Sequence, residues 1–331
     1  MNKFFCTLAA VLLSMAASAA TTKTYTVTVV YDGTKATVNI PSEIASYVSC
    51  PSGESSRVKL IQTSTTTANP GEIIYQLSGS TDSGEFYFVG EYKATFLLNG
   101  VTIHNPDSSA VHIKDGKRIK VSMTANTVNT LSDGVADSTS KGCFHSKGHT
   151  EFAGKGTLNV SSVFNHAIYS KEYVEVKNCT LNITGAKKDG IHCQEYFLMS
   201  SGEVNMSGVE DDGIQVELKD SIQTGVIKDH EDENSGNFYM TGGTLTISDP
   251  GSYCIKTVGT ITYSGTSKQV FDTANVKEYD IDTAISTATV CRASDRLEYY
   301  DLNGRRLPHD AMLPRGIYIV KEGGKTKKVI K

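Results

Sequence analysis

Residues 156–170 read GTLNVSSVFNHAIYS, residues 179–193 read CTLNITGAKKDGIHC, and residues 202–216 read GEVNMSGVEDDGIQV. Leu158, Leu181 and Val204 open an apolar-x-apolar signal at a period of 23 residues, and each is followed ten residues later by Ile168, Ile191 or Ile214. The pairs Leu245/Ile255 and Val101/Val111 keep the same offset of ten. Five segments thus share one template: Gly or Cys, x, Leu, x, Val, then a polar turn, then Asp or His, Gly or Ala, Ile. The spacing widens to 41 between Val204 and Leu245 because of an insertion at about 218–236 that carries Glu231-Asp232-Glu233-Asn234. A repeat of this length, made of short strands with no helical stretch, describes the coils of a parallel β-helix. The Leu-x-x-Leu-x-Leu spacing of leucine-rich repeats is missing.

Phe144-His145-Ser146-Lys147 reads like Ile168-Tyr169-Ser170-Lys171 and like Val111-His112-Ile113-Lys114, which predicts one further coil between Val111 and Leu158. Ile73–Leu77 and Phe86–Val89 predict an earlier, less regular one. Strands at Tyr25–Val30 and Thr37–Ile40 flank Tyr31-Asp32-Gly33-Thr34, a hairpin whose Asp-Gly turn supplies φ > 0. It is expected to cap the open edge of the first coil. The expected class is all-β: a right-handed, single-stranded parallel β-helix with an N-terminal β cap and a small C-terminal β tail domain. The expected organisation is a signal peptide at 1–20, the cap and first coil at 21–91, the β-helix at 92–271, a linker at 272–294 and the tail domain at 295–331.

Composition agrees. Glycine (29) is abundant, proline (7) scarce and tryptophan absent, the balance of short strands and polar turns. A net charge of −4 with 21% charged residues offers no basic face for a phosphate backbone, so nucleic acid is not an expected partner. Lys3, the apolar run Phe4–Ala17 and the small residues Ala17-Ser18-Ala19 form a secretory leader, and no membrane span is expected, so the location is secreted or outer cell surface. Outside the leader stand Cys50, Cys143, Cys179, Cys193, Cys254 and Cys291. Their spacing matches no compact disulfide framework, so most are expected as buried thiols.

Aligned coils turn sequence columns into spatial ladders with a step of about 4.8 Å. One column holds His166, Asp189 and Asp212, preceded by Asn165, Lys188 and Asp211. A second, just past the apolar residue, holds His112, His145, Tyr169, His192, Gln215 and Lys256, with Lys114, Lys147, Lys171 and Glu217 two residues on. Alternation along a strand predicts that these polar positions point outward. Asp189 and Asp212, with Glu210 and Asp211 on the same turn, repel one another unless a proton or a cation intervenes. A calcium ion with six to eight oxygen ligands suits such a cluster, with the carbonyls of Gly190 and Gly213 contributing; Glu217 completes the candidate metal set. The alternative is plain turn chemistry, because Asp-Gly is a common turn dipeptide. His166, Tyr169, Lys188, His192 and Gln215 are the candidate ligand-binding residues, offering ring faces and hydrogen-bond donors to a linear polysaccharide. Stacking that serves only the coil is the alternative. The acidic run Asp229–Glu233 reads as a solvated loop.

The stretch from about Tyr92 to Gly259, with Lys188-Asp189-Gly190-Ile191-His192 and Glu210-Asp211-Asp212-Gly213-Ile214-Gln215, resembles the bacterial carbohydrate-binding domain-containing β-helix proteins, related in fold to pectate lyases. The resemblance implies a calcium-bearing parallel β-helix that binds plant polysaccharides such as cellulose or pectin without known catalysis, and it carries the Asp-Gly-Ile turns over as calcium positions. At the C-terminus, Leu297–Arg306 with its Asn303-Gly304 turn and Leu313–Val320 resemble the small sorting domains of proteins exported by the type IX pathway, which implies export machinery as a partner. No catalytic residue is assigned. A lyase would need Lys188 or Lys171 as its base, and a glycoside hydrolase would need Asp211 and Asp212 as its carboxylate pair. A purely structural or adhesive solenoid is the remaining class.

Overall fold

The computed structural model describes residues 24–63, 73–134, 139–218, 236–278, 298–300, 307, 317–322 and 325–330. The chain winds into a parallel β-solenoid of about eight turns with almost no helix. Each full coil contributes three short strands. In one central coil these are Val174–Lys177 on the first face, Thr180–Ile183 on the second and Ile191–Gln194 on the third.

The predicted columns are structural registers. Leu158 pairs with Leu181, Leu181 with Val204 and Val204 with Leu245 on the second face. On the third, Phe144 pairs with both Val111 and Ile168, so the extra coil exists, and Ile168, Ile191, Ile214 and Ile255 continue the row. Phe86 pairs with Val111, which places the earlier coil as well. The inward rows fill a continuous apolar core that includes Phe144, Phe152, Phe197 and Phe238. Among the described cysteines, all are free thiols and all but Cys50 are buried.

Strand Tyr25–Asp32 runs parallel to Ile73–Thr81 and antiparallel to Lys35–Asn39, turning at Gly33 with φ 60°. Val48–Ser49 runs antiparallel to Arg57–Gln62. These two antiparallel additions cover the N-terminal edges of the stack, edges that would otherwise template another chain. At the other end the strand Val276–Glu278 still pairs with Ile255–Thr257, so the solenoid continues past residue 271. The C-terminal strands Glu298–Tyr300, Ile317–Glu322 and Lys325–Ile330 form a separate antiparallel sheet. The expected leader, the acidic insertion, Cys291 and the expected turn at Asn303-Gly304 lie outside the described residues.

On the second face the repeated Asn is explained by a ladder. Asn182 Nδ2 donates to Asn159 Oδ1 at 2.9 Å, and Asn205 Nδ2 to Asn182 Oδ1 at 3.0 Å.

The Asp-Gly turns have a physical cause other than a left-handed backbone. Gly190 and Gly213 are not among the positive-φ glycines. A Cβ on Gly190 would instead lie 2.7 Å from the Gly213 carbonyl oxygen, and one on Gly213 2.5 Å from that of Cys254. The glycine is there because the next coil's backbone occupies the space. Gly213→Ala is therefore expected to destabilise by about 1–3 kcal/mol through overpacking, seen as a lower urea midpoint. An unchanged midpoint would show that the coils can separate at no cost.

Candidate functional site

At the corner between the second and third faces, His166, Asp189, Asp212 and Tyr253 occupy equivalent positions two residues before the isoleucine row. The Asp189 N–H donates to His166 Nδ1 at 3.1 Å, the Asp212 N–H to Asp189 Oδ1 at 3.2 Å, and the Tyr253 N–H to Asp212 Oδ1 at 3.0 Å. Each side chain thus caps the backbone of the next coil, closing donors that the turn leaves outside the strand ladder. The remaining carboxylate oxygens meet cationic groups: Asp189 Oδ2 lies 2.8 Å from His192 Nδ1, and Asp212 Oδ2 accepts from Lys256 Nζ at 2.8 Å.

This corrects the expectation of an outward-pointing acidic ladder. Exposure is 8% at His166, 1% at Asp189, 0% at Asp212, 5% at Tyr169 and 8% at His192. The reason is that the side chains turn onto the next coil's backbone and onto one another. Burial alone would raise the Asp189 pKa, but the close contacts with His166 and His192 hold its carboxyl well below the usual range. Burial would lower the pKa of His192, yet its hydrogen bonds to Asp189 and Glu217 bring it to about 9. Burial keeps His166 below the ordinary imidazole value.

The five expected metal residues separate. Glu210 pairs with Lys187 at the surface. Glu217 lies 3.4 Å from His192 Nε2, which holds its pKa down, and accepts from Gln215 Nε2 at 2.9 Å. Asp189, Asp211 and Asp212 do come together, with one oxygen of each within 4.8 Å of the others. That oxygen set does not fit calcium as it stands. The Lys256 ammonium already sits on Asp212 Oδ2 at 2.8 Å, a fixed positive charge where the ion would lie. The carbonyls of Gly190 and Gly213 accept the N–H groups of Ile168 and Ile191 at 3.1 and 3.0 Å. Asp211 reaches the surface; burial and the charges of Asp189 and Asp212 raise its pKa.

The third face carries the ring column. Tyr87, His112, His145, Tyr169, His192, Gln215 and Lys256 are register partners on successive strands. Ring centroids follow at 5.0 Å (Tyr87–His112), 4.3 Å (His112–His145), 5.1 Å (His145–Tyr169) and 5.3 Å (Tyr169–His192). Tyr87, His112, His145 and Gln215 keep partial exposure, whereas Tyr169 and His192 are covered. Lysines rim the column: Lys59 and Lys114 sit over the Tyr87 ring at 5.6 and 5.4 Å, and Lys141 over Tyr169 at 5.0 Å. Lys147 and Lys188 are exposed beside them. At its N-terminal end the column opens into a cleft of about 380 Å³ lined by Pro51, Ser52, Arg57, Lys59, Glu85 and Tyr87.

The corner between the third and first faces holds a cluster that the repeat template did not single out. His149 Nε2 lies 3.7 Å from both Glu172 and Glu195, and Tyr173 stacks between His149 and Tyr196 at 4.5 and 4.6 Å. The 23-residue step from Glu172 to Glu195 was the available signal.

Among the described residues no helix is long and apolar enough to cross a membrane. A solved structure described as the polysaccharide lyase-like protein from C. thermocellum, a gadolinium derivative, superposes with a TM-score of 0.55 at 19% identity, covering 76% of this chain and 99% of that one. At that identity the likeness is one of fold. A carbohydrate-binding domain-containing protein from Acetivibrio thermocellus is 28% identical over 104 residues, 29% of this chain; the match spans 36% of that relative's length. The profile of the carbohydrate-binding domain-containing proteins matches residues 61–297, which takes in the ring column and the buried turn ladder but, of the cleft, Glu85 and Tyr87 alone. The chain therefore belongs to the family of carbohydrate-binding domain-containing proteins.

Proposed function

We propose that the chain is a non-catalytic polysaccharide-binding protein, secreted or held at the outer cell surface, that takes an extended glycan along its third face. The observation that carries this reading is the column of rings from Tyr87 through His145, lysine-rimmed and ending in the cleft at Arg57 and Lys59. Successive strands repeat the column at about 4.8 Å, so an extended polymer lying along it meets the same donors and ring edges at each step. Aromatic rings offer apolar faces to sugars, and cationic side chains suit carboxylate-bearing ones. Plant cell-wall glycans such as cellulose or pectin are the ligands proposed. Export by a type IX-like route is proposed with it, on the resemblance of the C-terminal tail.

Lys188 and Gln215 remain accessible, while His166, Tyr169 and His192 act from beneath, holding the surface in place. Asp212 is fully buried on Lys256, which leaves no exposed Asp211–Asp212 pair of the kind glycoside hydrolysis uses.

Affinity electrophoresis through gels containing polygalacturonate or hydroxyethyl cellulose tests the reading. The wild-type chain is expected to be retarded in at least one gel, and Tyr87→Ala with His112→Ala to weaken binding about five- to thirtyfold, as a loss of about 1–2 kcal/mol implies. A retardation that this double variant leaves intact, in a chain with unchanged circular dichroism, would remove the third face from the reading. No retardation of the wild type would favour a purely structural or adhesive solenoid.

A further inference from the structure

One ligand atom each of His166, Asp189 and His192 lies within 4.8 Å of the others beneath the third face, on buried residues whose exposures are 8%, 1% and 8%. His166 Nδ1 accepts the Asp189 N–H at 3.1 Å, so that nitrogen carries a lone pair. The same nitrogen lies 3.2 Å from Asp189 Oδ2, and an ion bound there would take the place of the Asp189 N–H on its single lone pair. Two ligand atoms each about 2.0–2.1 Å from a zinc ion stand roughly 3.3 Å apart at the tetrahedral angle. The present separations of 2.8 Å (His192 Nδ1 to Asp189 Oδ2) and 3.2 Å are hydrogen-bond distances close to that value, so little movement would admit an ion.

The surroundings are those of a metal centre. Metal-bound imidazoles direct their other ring nitrogen to a carboxylate. His192 Nε2 faces Glu217 Oε2 at 3.4 Å, and Glu217 is itself held by Gln215. Asp189 Oδ1 is likewise fixed by the Asp212 N–H. Two imidazoles and one carboxylate select first-row transition ions, whereas calcium prefers an all-oxygen shell.

We infer that His166, Asp189 and His192 are the protein ligands of a divalent first-row transition ion, of which zinc is the representative. The ion joins two successive coils, since His166 belongs to one and Asp189 and His192 to the next. Three protein ligands leave a coordination position for water or a ligand oxygen. The site stands apart from the polysaccharide reading, because metal uptake is measured with no glycan present.

The chelator-stripped full chain is titrated with zinc chloride, with calcium chloride in parallel, and bound metal is counted by elemental analysis after dialysis. One zinc per chain is expected, with a melting midpoint raised by several degrees through preferential binding to the native state; calcium should produce no rise. His166→Gln and His192→Gln should each weaken zinc binding at least tenfold, while Asp211→Asn, a change in the acidic set alone, should leave it intact. Copper(II) electron paramagnetic resonance of the wild type, which needs no variant to fold, should show nitrogen hyperfine coupling from two imidazoles. Absence of bound zinc in the wild type, absence of that coupling, or binding that survives both histidine substitutions would overturn the assignment.

Discussion

Asp189→Ala is expected to destabilise the chain by about 3–5 kcal/mol, the cost of removing one partner from a buried ion pair. In the metal-free protein the substitution strands two groups at once. His192 loses the carboxylate at 2.8 Å that keeps its pKa near 9, and the Asp212 N–H loses its acceptor at 3.2 Å. The site is 1% exposed, so water does not replace either partner. Asp189→Asn should cost less, because an amide oxygen can still take the Asp212 N–H. Equilibrium urea unfolding of both variants checks the order. Equal, small losses would mean that the turn ladder is ornamental and that the isoleucine row alone aligns the coils.

Acidification is the second large effect. His145 is half-buried, its Nδ1 has no hydrogen-bond partner among the described residues, and its ring is clamped between His112 at 4.3 Å and Tyr169 at 5.1 Å. Burial first, then the charges of His112, Lys141, Lys114 and His166, lower its pKa to about 3. The unfolded chain therefore binds this proton more readily than the folded one. The neutral ring's contribution is complete above the ordinary imidazole pKa of about 6.5 and is lost progressively as the pH falls from there toward about 3, a change on the order of a few kcal/mol. Burial raises the pKa of Asp115 and Asp133, and those carboxyls act in the opposite sense. The measurement is accordingly a difference, the pH dependence of unfolding free energy for wild type against His145→Gln. The variant is expected to lose less stability between pH 6.5 and 4; identical slopes would sink the claim.

Most of the fold is legible in one strand pair per coil. Leu158, Leu181 and Val204, each ten residues before an isoleucine, give two of the three faces directly. The first face was less visible, because Val174-x-Val176 and Phe197-x-Met199 are short alternations with no recurrent glycine or turn dipeptide to mark them. The loosened pattern before Leu158 has a specific cause. Asn129 sits in the leucine row, paired with Leu158, fully buried. Its Oδ1 takes the N–H groups of Gly100 and Val101 at 2.9 and 3.0 Å, and its Nδ2 donates to the Thr157 carbonyl. A polar residue that repairs backbone at a corner does not look like a core residue in sequence.

The candidate site was half legible. Its columns are correct, but direction is not a property of a column. Strand alternation says which face a residue starts on; it does not say that an Asp at a turn will fold over the next coil's N–H. Nor does spacing reveal that Lys256, brought close across the 41-residue step, supplies the positive charge at Asp212 for which calcium had been the natural candidate. The accessible part of the ring column lies instead toward Tyr87 and His112, where the coils are less regular in sequence and the alignment was weakest.

Hydroxyl-radical footprinting of the chain, with and without the polysaccharide that retards it in gels, reads all three faces in one experiment. Protection is expected at Tyr87 and His112 and along the lysine rim at Lys59, Lys114 and Lys147, with Tyr196 and Tyr239 on the first face unchanged. Protection centred on Tyr196 and Tyr239, with Tyr87 and His112 still fully reactive, would contradict the third-face account.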